Sequence, residues 1–417
     1  MTNGADLRLV SGKAVYDSEK QLLRIGDALL LDGGIIREIG RFDLLKQKYP
    51  YAELIDLSDC YLFPGLINTH VHFEFTAAAD LRKIFPDETE RVRLVRAVEN
   101  ARIMLRSGVT TVRDAGSSWG LLDILHIQNE GYIQLPRLQL AGPPLTITGG
   151  HLHFLGGESD TVDELIKAVR TRKKRGCGAI KIVVNGGQMT PGSLPERVSY
   201  TIEQIKAATD QAHHLGLPTF AHCLTTQGFI NVIAGNVQSI EHAACFVRNH
   251  ENGLLERKWE PEVMEKYQGD GRFFCNGLSA HYHRLDNVRE GKSPATPQEE
   301  FWLLQEQNMC DIFKKLCKLG FVPTLGNDAG VTDTYFDETW LELAIMVERC
   351  GMTAAQAIEA ATVNSAAALG LDRVTGRLSE GYAADIVALK NNPLEDIRAF
   401  SKVEQVICAG RPVGSCR

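Results

Sequence analysis

His70 and His72 stand two residues apart at the end of the run Phe63-Pro64-Gly65-Leu66-Ile67-Asn68-Thr69. Residues i and i+2 of a strand face the same side, with Cα atoms roughly 6.5 Å apart. Two imidazoles placed that way converge, and they could share a metal ion that still needs other donors. The spacing alone is weak, because His151/His153 and His281/His283 repeat it. A metal reading therefore depends on partners from elsewhere in the chain.

Four such partners lie at the ends of short apolar runs. Lys181 sits inside Ala179-Ile180-Lys181-Ile182-Val183-Val184, His222 follows Pro218-Thr219-Phe220-Ala221, His242 follows Val237-Gln238-Ser239-Ile240-Glu241, and Asp328 follows Phe321 to Gly326. Either histidine alone could be a packed strand-end residue, and Asp328 could cap a loop. Lys181 is more telling, since a lysine in a buried strand is costly unless it is paired or modified. A neutral lysine amine can also take up CO₂ to become a carbamate, an anion able to bridge two metal ions. Gly186 and Gly187 would let backbone approach a ligand, or they could simply shape a loop.

The surrounding pattern says what must position these groups. Thr161-Val162-Asp163-Glu164 has capping-box spacing and opens a helix that Gly176 closes before the strand 179–184. Thr201 to Gln204 opens another, closed at Gly216 before the strand leading to His222, and 227–234 opens a third before the strand leading to His242. Further helices are expected at 88–106, 301–319 and 353–369, with strands at 109–112 and 272–275. Strands alternating with helices predict a parallel sheet, and this many units predict closure into a (β/α)₈ TIM barrel. Short β runs recur at both ends of the chain. The expected architecture is thus a barrel over 64–370 and a small β-sandwich domain built from 1–63 and 371–417.

Composition narrows the partners. Lys and Arg total 45 against 52 acidic residues, a net charge of -7, which leaves no basic stripe for nucleic acid. Arg172-Lys173-Lys174-Arg175 is expected on a solvated face at a helix C-terminus. Ten cysteines without C-x-x-C spacing suit a reducing compartment. No run of about 18 apolar residues occurs, and the first residues lack a signal-peptide core. A soluble cytoplasmic protein acting on a small molecule, with a homo-oligomer possible, is the expectation.

Pro64 to His72, then Lys181, His222, His242 and Gly326-Asn327-Asp328-Ala329-Gly330, in that order, closely resemble the amidohydrolase superfamily. The segments 364–371 and 381–389 resemble its late helix and returning β segment. Thr148-Gly149-Gly150-His151 and Gly178 to Gly187 are most similar to the branch that cleaves Xaa-Pro dipeptides, other dipeptides or N-acyl amino acids. That resemblance implies two divalent metal ions, with zinc expected. His70 and His72 would bind one and His222 and His242 the other, with a Lys181 carbamate bridging and Asp328 on the first ion. It implies His151 near the substrate carbonyl, and Asn185, Gly186 and Gly187 as substrate contacts. The implied reaction is cleavage of an amide-type C–N bond by a metal-bridging hydroxide, with Asp328 moving the proton. Leu224 departs from the tyrosine that dipeptidase-like members often carry two residues past the third histidine, and 274–286 follows no familiar pattern; both bear on the substrate. The alternatives are a heterocycle deaminase or dehalogenase on a mononuclear site, which would want an acid just after His222, and an inactive ligand-binding barrel, which would show gaps in the ligand set.

Overall fold

The structure is a computed structural model that describes residues 7–78, 81–280 and 282–414. His281, Cys416 and residues 1–6, which entered the expectations above, lie outside the described residues.

Chain ends meet in one eight-stranded sheet. Leu7–Asp17, Leu22–Ile25, Asp27–Asp32, Ile35–Arg41 and Glu53–Pro64 join Ile386–Leu389, Val403–Cys408 and Arg411–Pro412. Leu7–Asp17 runs parallel to Glu53–Pro64, and the other pairings are antiparallel. The alternation of the two termini buries Val10, Leu29, Leu31, Leu62, Ile386 and Ile407 on one face. Glu53–Pro64 then turns through Gly65 into the strand that carries His70. A side chain at Gly65 would have its Cβ 2.1 Å from Thr110 Oγ1, so this close approach accounts for the Pro-Gly entry.

Eight short parallel strands carry the candidate residues: β1 (Leu66–Val71), β2 (Val109–Asp114), β3 (Arg137–Leu140), β4 (Ile180–Val183), β5 (Thr219–Cys223), β6 (Ser239–His242), β7 (Phe273–Cys275) and β8 (Val322–Pro323). They form one three-stranded sheet, β1 to β3, and one five-stranded sheet, β4 to β8. Hydrogen bonds join the two sheets at both edges. Gly178 N donates to Leu140 O at 2.9 Å and Leu145 N to Lys181 O at 2.9 Å on one side. On the other, Thr69 N donates to Leu325 O at 2.8 Å and Asp328 N to His70 O at 2.9 Å.

The helix signals act as their chemistry demands. Thr161 and Glu164 form a reciprocal capping box over Val162–Arg175, and Gly176 ends that helix with φ 91°. Thr201 and Gln204 do the same for Ile202–His214. Three expectations need correction. Arg172 is buried, not solvated: its guanidinium donates to Pro143 O, and it and Arg175 pack on the Trp119 ring. The helix expected over 301–319 is two helices, Pro297–Leu304 and Glu306–Lys318, broken at Gln305, whose Oε1 accepts from Arg257 N at 3.1 Å. The helix expected over 353–369 widens to a π turn at Ala360–Asn364. There Ser365 Oγ donates to Ala360 O at 2.7 Å and accepts from Leu325 N at 3.1 Å, which ties the bulge to the chain leading into Asp328.

Among the described residues the cysteines are free thiols, and no helix is long and apolar enough to cross a membrane.

Candidate active site

Where the parallel strands end, His70, His72, His151, Lys181, His222, His242 and Asp328 line one cavity. His70 and His72 have ring centroids 5.6 Å apart, and both Nε2 atoms face Asp328 Oδ1, at 3.5 and 3.4 Å. His242 lies 5.0 Å from His70 and 4.7 Å from His222 between ring centroids, and His151 lies 4.8 Å from His222. Lys181 Nζ is 3.3 Å from His70 Nε2. Among the described residues, donor atoms of His70, His242 and Asp328 fall within 4.8 Å of one another.

Strand register explains most of this convergence. In β4, β5 and β6, Lys181 is aligned with Phe220, and His222 with both Val183 and Glu241, so Lys181, Phe220, His222 and Glu241 point to the same side. His242 follows Glu241 directly and would face away if the strand continued. It returns to the cavity because its backbone turns left-handed, at φ 69°, and Ala243 follows at φ 43°. Asp328 also has a left-handed backbone, at φ 60°. Two non-glycine residues in that region mark strain of order 1 kcal/mol or more each, held by the surrounding structure.

Partners behind the imidazoles orient them. His70 Nδ1 meets Glu241 Oε2 at 2.6 Å, His72 Nδ1 meets Gly116 O at 3.2 Å, and His222 Nε2 meets Gly186 O at 3.0 Å. A ring nitrogen facing a carboxylate or carbonyl must donate, so the opposite nitrogen keeps its lone pair toward the cavity. Glu241 is itself fully buried and is held by Arg113 at 2.9 Å and by Ser239 Oγ at 2.7 Å. Arg113 in turn donates to Thr69 O and covers the Phe220 ring at 3.8 Å. Glu241 thus serves His70; the amine of Lys181 meets His70 on its other nitrogen.

Burial sets the protonation. It holds the imidazoles of His72 and His222 down to about 3, and those of His70 and His242 well below the ordinary value. All four are therefore neutral at pH 7, the form that binds a metal. Burial pushes the Lys181 ammonium down to about 8, against the opposing pull of Glu241 and Asp328. It pushes the Asp328 carboxyl up to about 7 although Lys181 pulls it down. Asp328 Oδ1 is buried and has no hydrogen-bond partner among the described residues. A sealed carboxylate oxygen facing imidazole lone pairs fits a bound divalent cation.

The loop that begins at Asn185 supports three of the residues around the site. Asn185 is fully buried; its Oδ1 accepts from Leu224 N at 2.9 Å and its Nδ2 donates to Thr225 Oγ1 at 3.0 Å. Gly186 supplies the carbonyl that holds His222. Gly187 makes room for His151, whose ring atoms lie 2.5 Å from where a Cβ would stand. Asn185, Gly186 and Gly187 thus stand behind Leu224, His222 and His151, and the next two residues, Gln188 and Met189, line the cavity. Sequence reasoning also missed Thr190, whose Oγ1 lies 3.0 Å from His151 Nδ1, and Asn276, which donates to His242 O at 2.6 Å. Neither sits in a motif that could have announced it.

Residues 61–413 match the amidohydrolase family, and the chain belongs to that family. Ochratoxinase of Aspergillus niger is 27% identical over 97% of this chain and 85% of its own length. The crystal structure of A. niger ochratoxinase superposes with a TM-score of 0.80 at 24% identity, covering 98% of this chain and 96% of that one. A Xaa-Pro dipeptidase crystallised with methionine in its active site superposes with a TM-score of 0.82 at 26% identity, covering 97% of this chain and 99% of that one. The protein is a hydrolase acting on C–N bonds, and its family and neighbours imply a TIM-barrel-type fold with a β-rich domain.

Proposed function

We propose that the chain hydrolyses the amide-type C–N bond of a dipeptide, an N-acyl amino acid or a related amide or carbamate, at a centre holding two divalent ions, zinc by preference. The observation that carries this reading is the convergence of four neutral imidazoles, Lys181 and Asp328 on one buried point. His70, His72 and Asp328 would hold one ion and His222 and His242 the other, with Lys181 bridging as its carbamate. Such ions, when bound, activate water and polarise a carbonyl, as amide hydrolysis near neutral pH requires.

The side chains supply the rest. Asp328, with its carboxyl near 7, can take the proton released during attack and hand it to the departing nitrogen. Lys181 is a ready carbamate precursor because its buried amine, at about 8, is neutral in an appreciable fraction of molecules near pH 7. His151, beside His222 and backed by Thr190, would face the substrate carbonyl. Methionine in the active site of the related dipeptidase supports an amino acid as one half of the substrate.

The hydrogen bonds joining β1–β3 to β4–β8 at both edges support reading the eight strands as a closed (β/α)₈ barrel. On that reading the barrel spans 64–370, and 1–63 with 371–417 form a β-sandwich. The residues after His222 argue against ring deamination, because Cys223-Leu224-Thr225-Thr226-Gln227 offers no carboxylic acid. The test is a screen of dipeptides, N-acyl amino acids, aryl carbamates and ureas with the zinc-loaded enzyme. Release of an amine and an acid is the expected result; ammonia from a purine, pyrimidine or triazine, with every amide ignored, overturns the proposal.

A further inference from the structure

Arg257 is the second cation of the cavity, and nothing in the proposed chemistry uses it. It ends the strand Leu255–Arg257, which forms a hairpin with Phe246–Arg248 in a register that sets Arg257 opposite Phe246. Its guanidinium lies 5.0 Å from the Phe246 ring centroid and 5.4 Å from that of Trp302, two rings stacked 6.2 Å apart. The backbone is fixed on both sides: Gln305 Oε1 accepts from Arg257 N at 3.1 Å, and Asn308 Nδ2 donates to Arg257 O at 3.2 Å.

The guanidinium has no counter-charge. Its Nε is sealed from solvent without a hydrogen-bond partner, and no carboxylate pairs with it among the described residues. Burial pushes it down to about 10, with only the thiols of Cys245 and Cys310 acting in the other direction. Arg257 is half-buried, with its Nε sealed and unpaired, so it presents the end of its guanidinium fork to the reaction cavity, where a bound anion would supply the missing counter-charge. Its planar fork matches a carboxylate with two parallel hydrogen bonds. Lys181 does not compete for that role, since its amine is held at 3.3 Å from His70. Phe246 and Trp302 flank Arg257, and Leu224, Met309 and Ile312 add apolar lining to the same cavity.

We propose that Arg257 anchors the free α-carboxylate of the substrate. The enzyme then takes N-acyl amino acids or dipeptides whose carboxyl-terminal residue bears an apolar side chain. This rests on the amide-hydrolysis reading above and narrows it.

The probes are N-acetyl-L-methionine and N-acetyl-L-methioninamide, which differ in the carboxylate alone. Wild-type enzyme loaded with zinc should favour the carboxylate by roughly a hundredfold or more in kcat/KM. Arg257→Met should erase that preference by losing the acid, while the amide stays within about threefold, and Arg257→Lys should restore part of it. Comparable rates on both probes in wild-type enzyme, or an unchanged preference in Arg257→Met, overturn the assignment. If Arg257→Met fails to fold, as judged by circular dichroism, Arg257→Lys is read in its place, and an undiminished preference there overturns it equally. If no amide is cleaved at all, the amide-hydrolysis reading fails by itself, and binding decides the role of Arg257. Calorimetry should then show L-methionine binding at least about tenfold more tightly than L-methioninamide, with Arg257→Met abolishing the difference. Equal binding of the two would overturn it.

Discussion

Glu241 shows how far a single side chain reaches in this site. One carboxylate oxygen fixes the tautomer of His70, and the other neutralises the fully buried Arg113. Glu241→Gln keeps the shape and removes the charge. Losing such a support behind a metal-binding histidine should lower metal affinity about 10- to 100-fold, and leaving Arg113 without its counter-charge should cost about 3–5 kcal/mol of stability. Chelator competition and chemical denaturation measure the two effects, and unchanged metal affinity would mean that Glu241 is only structural. Protonation adds a second expectation at this scale. Below about 8 Lys181 carries a proton in the metal-free site, and below about 7 so does Asp328, so each must be discharged before metal binds. His72 and His222, at about 3, are already neutral and add nothing until far lower pH. Zinc affinity should therefore fall as pH drops through 8 and then 7, approaching about tenfold per pH unit for each proton displaced. An affinity flat down to the ordinary histidine range near 6.5, and falling only there, would contradict these assignments.

At the scale of elements, the loop after β4 supports the site through Asn185, Gly186 and Gly187. Gly187→Ala would place a methyl 2.5 Å from the His151 ring, its nearest neighbour. It should reduce kcat by one to two orders of magnitude, as displacement of a positioned group does, while bound metal stays constant. Equal losses of activity and metal would show that the loop acts through His222 instead. Such supports were not legible in the sequence, whereas the strand ends were. Lys181, His222 and His242 follow helix–glycine–strand punctuation whose capping boxes form as written. The glycines at 186 and 187 announced a close approach but not its partners, which are Leu194 and His151. β3 is four residues long and β8 two, too short for any periodicity to register. The hairpin bearing Arg257 has three-residue strands and charged ends, so neither alternation nor an apolar run marks it. The turn of His242 back toward the cavity is backbone strain, and no residue type signals it there.

Across the whole molecule, residues far apart in sequence depend on one another. Asp328 is delivered beside His70 by backbone pairing between β1 and the segment after β8, and Ser365, which follows the π turn, holds Leu325 in place. The sheet shared by both termini closes over the entry to β1 through Gly65, whose N–H donates to Asp385 O at 2.9 Å. This arrangement brings donors from five separate segments to one point, and the proposed metal pair with its Lys181 carbamate would account for so many polar groups gathered there. Like-charge repulsion would disfavour a plain ammonium at Lys181 in a loaded site, whereas a carbamate could serve both ions. Lys181 is thus where the account is most exposed. The deciding measurement is a high-resolution crystal structure of the active, zinc-loaded enzyme with anomalous scattering to count the ions. Two ions per chain, with added density for a carboxylated Lys181 side chain between them, is the predicted result; one ion per chain beside an unmodified lysine would contradict it.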